Sequence, residues 1–160
     1  MENKRLLYLF AAAVLAAAAL IVIPWLSDKA RGSGLLRPSD RPTVALGKKV
    51  YEANCAACHG ADLEGEPNWR STRADGTRPA PPHDETGHTW HHADKVLFEL
   101  TKFGLAKFAG SDVKTAMPAY EGKLTDEEII AALSYIKSRW PEAVRKRHDQ
   151  LNEATKGKSD

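Results

Sequence analysis

The chain has 160 residues, 42% of them hydrophobic and 28% charged, with 23 basic and 21 acidic side chains. That length fits one domain plus trimmings. A formal charge of +2 argues against nucleic acid as the main partner, because neutralising several phosphates needs a clustered excess of Lys and Arg. Two cysteines exclude a disulfide scaffold.

The apolar residues are unevenly spread. Of the 21 residues from Leu6 to Leu26, 20 are hydrophobic and none is charged, which as a helix is long enough to cross a bilayer. Residues 1–5 are then a short N-terminal tail and residues 6–26 a transmembrane anchor. The alternative is a cleaved signal peptide, but Trp25-Leu26-Ser27-Asp28-Lys29-Ala30 lacks the small-residue pair that a cleavage site wants. Lys4 and Arg5 before the segment are matched by Lys29 and Arg31 after it, so charge barely decides orientation. Residues 27–43, with Gly32-Ser33-Gly34 and two prolines, read as a flexible linker.

Thr43 is placed to cap a first helix, whose face holds Leu46, Gly47, Val50, Tyr51 and Asn54. Gly47 weakens a helix by about 1 kcal/mol relative to Ala, a cost that makes sense where another helix crosses closely. Next comes Cys55-Ala56-Ala57-Cys58-His59. This C-x-x-C-H pattern points to covalent haem: the thiols add across the porphyrin vinyl groups, and the adjacent imidazole reaches iron. The competing readings are a redox dithiol and half of a zinc site. No β-branched run precedes Cys55, as a βαβ redox site would want, and no second C-x-x-C exists to complete a zinc site, although histidines could.

Gly60–Ala93 holds seven hydrophobic residues in 34, too few for a helix face or a buried strand. Its prolines suggest a rigid loop draped over a haem edge. It also concentrates His83, His88, His91 and His92. One reading is a second metal site for copper or zinc, assisted by Asp84 or Glu85. Another is a polar loop in which His92 caps the following helix, and a third has one histidine displacing the sixth iron ligand. A middle helix over Ala93–Phe103 presents Val96, Leu97, Leu100 and Phe103, and Gly104 closes it. Met117, followed by Pro118, is the only methionine besides Met1. In a stretch without periodicity its thioether suits the sixth position on iron, where it favours the ferrous state, rather than core filling. Thr125-Asp126-Glu127-Glu128 fits a capping box, and Ile129, Leu133, Ile136 and Trp140 form a helical stripe that Pro141 ends. Residues 141–160 are a further amphipathic helix and tail carrying Arg145-Lys146-Arg147 on a solvated face.

Together these motifs resemble a class I c-type cytochrome over Val44–Trp140. Gly47 and Tyr51 match the family's residues ahead of the haem motif, Leu124–Arg139 with Tyr135 matches its C-terminal helix, and Met117-Pro118 matches its ligand loop. The resemblance implies an all-α fold of three to four helices around one covalent haem c, here after an N-terminal transmembrane helix. It implies that Cys55 and Cys58 hold the haem, and that His59 and Met117 ligate the iron. It also implies that a proline carbonyl, from Pro81 or Pro82 with Pro79 competing, accepts the Nδ1–H of His59 and so orients the ring. More narrowly, Trp69, Pro81-Pro82-His83-Asp84 and His88-Thr89-Trp90-His91-His92 resemble a group of single-haem proteobacterial cytochromes, for which the implied role is electron carriage with no firm partner.

The expected function is a membrane-tethered electron carrier without enzymatic turnover of its own. It would exchange electrons with protein redox partners, take no nucleic acid or small-molecule substrate, and dock through lysines 48, 49, 95, 102, 107 and 114. Because covalent attachment of this type is extracytoplasmic, the haem domain should face the periplasm from the inner membrane. The alternatives are a fixed, non-catalytic subunit of a dehydrogenase or oxidase, and a gas sensor or peroxidase, against which Met117 speaks.

Overall fold

The computed structural model describes residues 34–110 and 113–156. All regular structure among them is helical. Helix α1 (Arg41–Asn54) begins at Asp40, whose carboxylate accepts the Thr43 N–H at 3.1 Å, and Pro42 occupies the first turn, where no N–H is needed. Thr43, expected as the cap, lies inside the helix, because a carboxylate is the better acceptor and stands before the proline. The buried face of α1 is Thr43, Gly47, Val50 and Tyr51, whereas Leu46 stays 37% exposed, off the stripe the sequence suggested.

A four-residue turn, α2 (Ala56–His59), follows, closed by Gly60 at φ 82°. The long loop then leads through a 3-10 turn (Thr89–His91) into α3 (Asp94–Phe103), which Gly104 ends at φ 83°. After the short α4 (Ala106–Ala109), α5 (Asp126–Arg139) opens with the expected capping box: Thr125 Oγ1 accepts the Glu128 N–H, and the Glu128 carboxylate accepts from Thr125 N–H. The final helix, α6, runs over Glu142–Thr155.

The core forms where α1 crosses α5. A Cβ added to Gly47 would lie 1.9 Å from the Ala131 carbonyl oxygen and 2.9 Å from Tyr135 Cβ, so only glycine permits the crossing. Tyr51, Ile129, Leu133 and Ile136 pack there, together with Leu63, Leu97, Tyr120 and Trp140 from the other elements.

Two terminal segments differ from expectation. Leu36, assigned to the flexible linker, is 2% exposed within the core, and its N–H donates to Asp94 Oδ2 at 3.0 Å. The Arg37 N–H donates to Ser134 Oγ at 2.9 Å. From residue 34 onward the linker therefore belongs to the folded unit. At the other end, α6 is part of that unit rather than an appendage. Asn152 and Asp94 bond reciprocally: Asp94 N–H to Asn152 Oδ1 at 2.8 Å, and Asn152 Nδ2–H to Asp94 Oδ1 at 2.9 Å. The start of α3 is thus capped by α6. The His92 side chain, expected to cap it, does not; its backbone carbonyl instead accepts from His148 Nε2–H at 2.9 Å. Lys137, 2% exposed, reaches Asp149 at 2.6 Å and lies 3.8 Å from Asp94. Residues whose patterning looks solvated are held by buried charge pairing, which a hydrophobic-stripe argument does not see.

The anchor assigned to residues 6–26 lies outside the described residues. Among the described residues no helix is long and apolar enough to cross a membrane.

Candidate functional site

The end of α1 and the α2 turn bring the C-x-x-C-H residues together. Cys55 N–H donates to Tyr51 O at 2.8 Å, which continues α1 by one bond, and His59 N–H donates to Cys55 O at 2.9 Å. Cys55 is half-buried and Cys58 is exposed. Burial pushes the Cys55 thiol up to about 11, whereas a redox dithiol wants a thiol held down near neutrality.

His59 is buried, and burial holds its imidazole below the ordinary value against the opposing hydrogen bond to Pro81. Its Nδ1 lies 2.9 Å from the Pro81 carbonyl oxygen. A carbonyl only accepts, so Nδ1 carries the proton and Nε2 keeps its lone pair for a metal. Of the three prolines considered, Pro81 makes this bond. Pro82 is buried with backbone pressed on both sides: a Cβ on Gly65 would lie 2.5 Å from its nitrogen, and one on Gly87 2.0 Å from its oxygen. Those glycines, which the sequence reading passed over, let the loop close behind His59.

The loop is fixed by backbone bonds more than by apolar packing. Gly65 N–H donates to His59 O at 2.8 Å, Glu66 N–H to Ala80 O at 2.8 Å, and His83 N–H to Leu63 O at 2.7 Å. The Glu66 carboxylate accepts Ala80 N–H at 2.6 Å and an Arg73 guanidinium N–H at 2.7 Å. Leu63, 1% exposed, is the loop's principal apolar plug, and Tyr51 OH donates to Gly60 O at 2.8 Å.

Met117 is half-buried in the irregular segment after α4, with its N–H on Thr115 Oγ1 at 3.0 Å. Just beyond it, Tyr120 OH donates to Asn54 O at 2.6 Å, and Tyr120 N–H donates to Lys102 O at 3.1 Å. That tyrosine pins the Met117 segment beside the residue preceding Cys55.

The four loop histidines do not assemble as a second metal site. Among the described residues no group of three or more His, Cys, Asp or Glu converges to hold a metal ion. The rings are engaged elsewhere. His83 stacks on His59 at 4.0 Å between centroids, His88 stacks on Trp69 at 5.4 Å, and His91 stacks on Trp90 at 3.7 Å. His92 meets His88 edge-on, and Asp84 spends its carboxylate on Thr86. Nor are the candidate docking lysines uniformly available: Lys48 pairs with Glu52, Lys102 with Asp126, and Lys107 sits over the Phe103 ring.

The residues present fit a covalent haem c: a half-buried and an exposed thiol one helical turn apart, and beside them an imidazole whose tautomer leaves Nε2 open. Comparison with known proteins agrees. The family model for cytochrome c matches residues 44–140. Cytochrome c6 of Tetradesmus obliquus is 35% identical over 95 residues, covering 58% of this chain and 86% of the relative. Cytochrome c-555 of Prosthecochloris aestuarii is 31% identical over 97 residues, covering 58% and 84%. Cytochrome c6 of Porphyra purpurea is 28% identical over 93 residues, covering 58% and 68%. No solved structure matches significantly. With the helix crossing, the C-x-x-C-H turn and the matched span in agreement, the chain belongs to the cytochrome c family.

Proposed function

We propose that this protein is a membrane-tethered periplasmic electron carrier with one haem c, bound through Cys55 and Cys58 and ligated by His59 and Met117. The observation that carries the reading is the His59 Nδ1–H bond to Pro81 O at 2.9 Å, which fixes the tautomer and leaves Nε2, on the ring edge away from Pro81, without a proton. When bound, haem supplies a one-electron Fe(III)/Fe(II) couple whose potential follows axial ligands, hydrogen bonding and burial. The chain's own part is to tether through two thioethers, to present Nε2, to hold the ligand's other proton on Pro81, and to offer a soft sulfur from Met117. A retained thioether leaves no open position for substrate, so the role is carriage between protein redox partners and not turnover. Residues 6–26 supply the tether.

Haem staining on a denaturing gel tests attachment: the wild-type chain should keep its stain, and Cys55→Ala/Cys58→Ala should lose it. An optical spectrum tests ligation. The reduced wild-type protein should bind CO slowly at neutral pH and Met117→Ala should bind it rapidly; equal rates overturn the Met117 assignment. Fractionation tests the tether, since deleting residues 1–26 should release the protein from membranes.

A further inference from the structure

His83 has no place in a second metal site, yet it is held more firmly than any other loop histidine. Its ring lies face to face with His59, with centroids 4.0 Å apart and planes 21° apart. The Pro81 bond fixes one atom of the His59 ring and leaves rotation about the Nδ1···O line open; a flat neighbour on the ring's face closes that freedom.

The neighbour is itself anchored on several sides. His83 Nδ1 lies 2.7 Å from Oγ1 of Thr89, which is 5% exposed. Its backbone N–H donates to Leu63 O at 2.7 Å, and its carbonyl accepts Trp140 Nε1–H at 2.7 Å. Trp140 is 2% exposed and meets the ring of His148, from α6, edge-on at 5.1 Å. A chain of contacts thus runs from the final helix through Trp140 and His83 to His59. An apolar residue at position 83 would fill the same space but would lack the tether to Thr89 that sets the ring's plane.

We propose that His83 is a positioning residue that fixes the plane of the His59 imidazole by stacking on it, with Thr89 and Trp140 as its supports. This rests on His59 being an iron ligand. The orientation of a ligating imidazole sets the magnetic axes of ferric haem iron, so it can be read directly, without any activity measurement.

The experiment is proton NMR of the ferric full-chain holoprotein, with the reduction potential measured alongside, for wild type, His83→Ala, His83→Phe and Thr89→Val. The expected result is one widely spread set of haem methyl resonances in wild type. In His83→Ala the spread should collapse or the set should double, and the potential should shift. His83→Phe keeps a flat face against His59 but loses the tether to Thr89, so it and Thr89→Val should each move the pattern in the alanine direction by less. A folded His83→Ala holoprotein with the wild-type pattern overturns the proposal. If His83→Ala does not retain haem, Thr89→Val decides, since it leaves both rings in place: a shifted pattern supports the proposal and an unchanged one overturns it. A wild-type ferric spectrum without imidazole ligation overturns the ligand assignment itself and this proposal with it. Intact ligation with an unmoved pattern removes the His83 role alone.

Discussion

The two sides of α5 are stabilised by different physics. Toward α1 it offers Ala131 and Tyr135 to Gly47, and the helices meet backbone to side chain with the apolar core packed beside the crossing. Toward α3 and α6 it offers Lys137, whose side chain is 3% exposed and reaches between Asp94 and Asp149, next to the Asn152–Asp94 exchange and a fully buried His148. The first contact lies within the span shared with the cytochrome c family, while the second depends on residues on both sides of it, Leu36 before and α6 after. A shared fold can therefore rest on an apolar crossing while the segments that flank it are fastened by a buried polar junction, in which each group is costly unless its partner is present.

Breaking the junction should produce the largest effect. Asp94→Ala strands the Leu36 N–H, removes the carboxylate that accepts from Asn152 Nδ2–H, and leaves Lys137 with one, mostly exposed, carboxylate. We expect a loss of about 3 kcal/mol, read from the denaturation midpoint of the holoprotein. A change under about 1 kcal/mol would mean that water takes over the junction's bonds. The apolar side should be next. Gly47→Ala gains about 1 kcal/mol in helix propensity, but its Cβ meets a backbone oxygen that cannot rotate away. The net cost should be about 2 kcal/mol, and an unchanged melting temperature would show that the crossing yields freely. Thr125→Ala removes the α5 cap and should cost about 1 kcal/mol by the same measurement, without changing which side of α5 is the more sensitive.

The gentlest test uses pH. Burial first, and Lys137 second, hold the His148 imidazole below its ordinary value of 6.5, against the opposing pull of Asp94, the His92 carbonyl and Asp149. The folded chain therefore refuses a proton that the unfolded chain accepts. His148's contribution is fully present above the unfolded value and is lost as pH falls through the lower folded one. His148→Phe should flatten the acid limb of the stability profile, and an identical limb in both proteins would assign the acid sensitivity to other groups.

Much of the site was legible because its chemistry is local. Cys55, Cys58 and His59 sit within one turn, and their types and spacing announce covalent haem before any fold is known. The Thr125 capping box, the α5 stripe and Gly104 as a helix stop follow from equally short-range rules. The readings that changed were those requiring partners from afar. Asp40 displaced Thr43 as the cap because a carboxylate preceded the proline. Leu36 looked like linker, and His148 carried no signal at all, since nothing beside them in the chain shows that Asp94 and the His92 carbonyl await them. The loop histidines looked like a cluster because they crowd along the chain, but folding stacks His83 on His59, His88 on Trp69 and His91 on Trp90, and leaves only His88 and His92 in contact with each other.

By itself the sequence determined the C-x-x-C-H turn that fits haem attachment, the helical pattern of the core and the glycine at the crossing, because each rests on residue type at fixed short spacing. Only the tertiary structure decided which proline carbonyl faces His59, that His83 stacks on that same ring, and that α6 closes over Asp94. Those outcomes depend on where a loop of few apolar residues comes to rest, and its resting place is set by backbone bonds between residues far apart in the chain, such as His83 to Leu63 and Glu66 to Ala80.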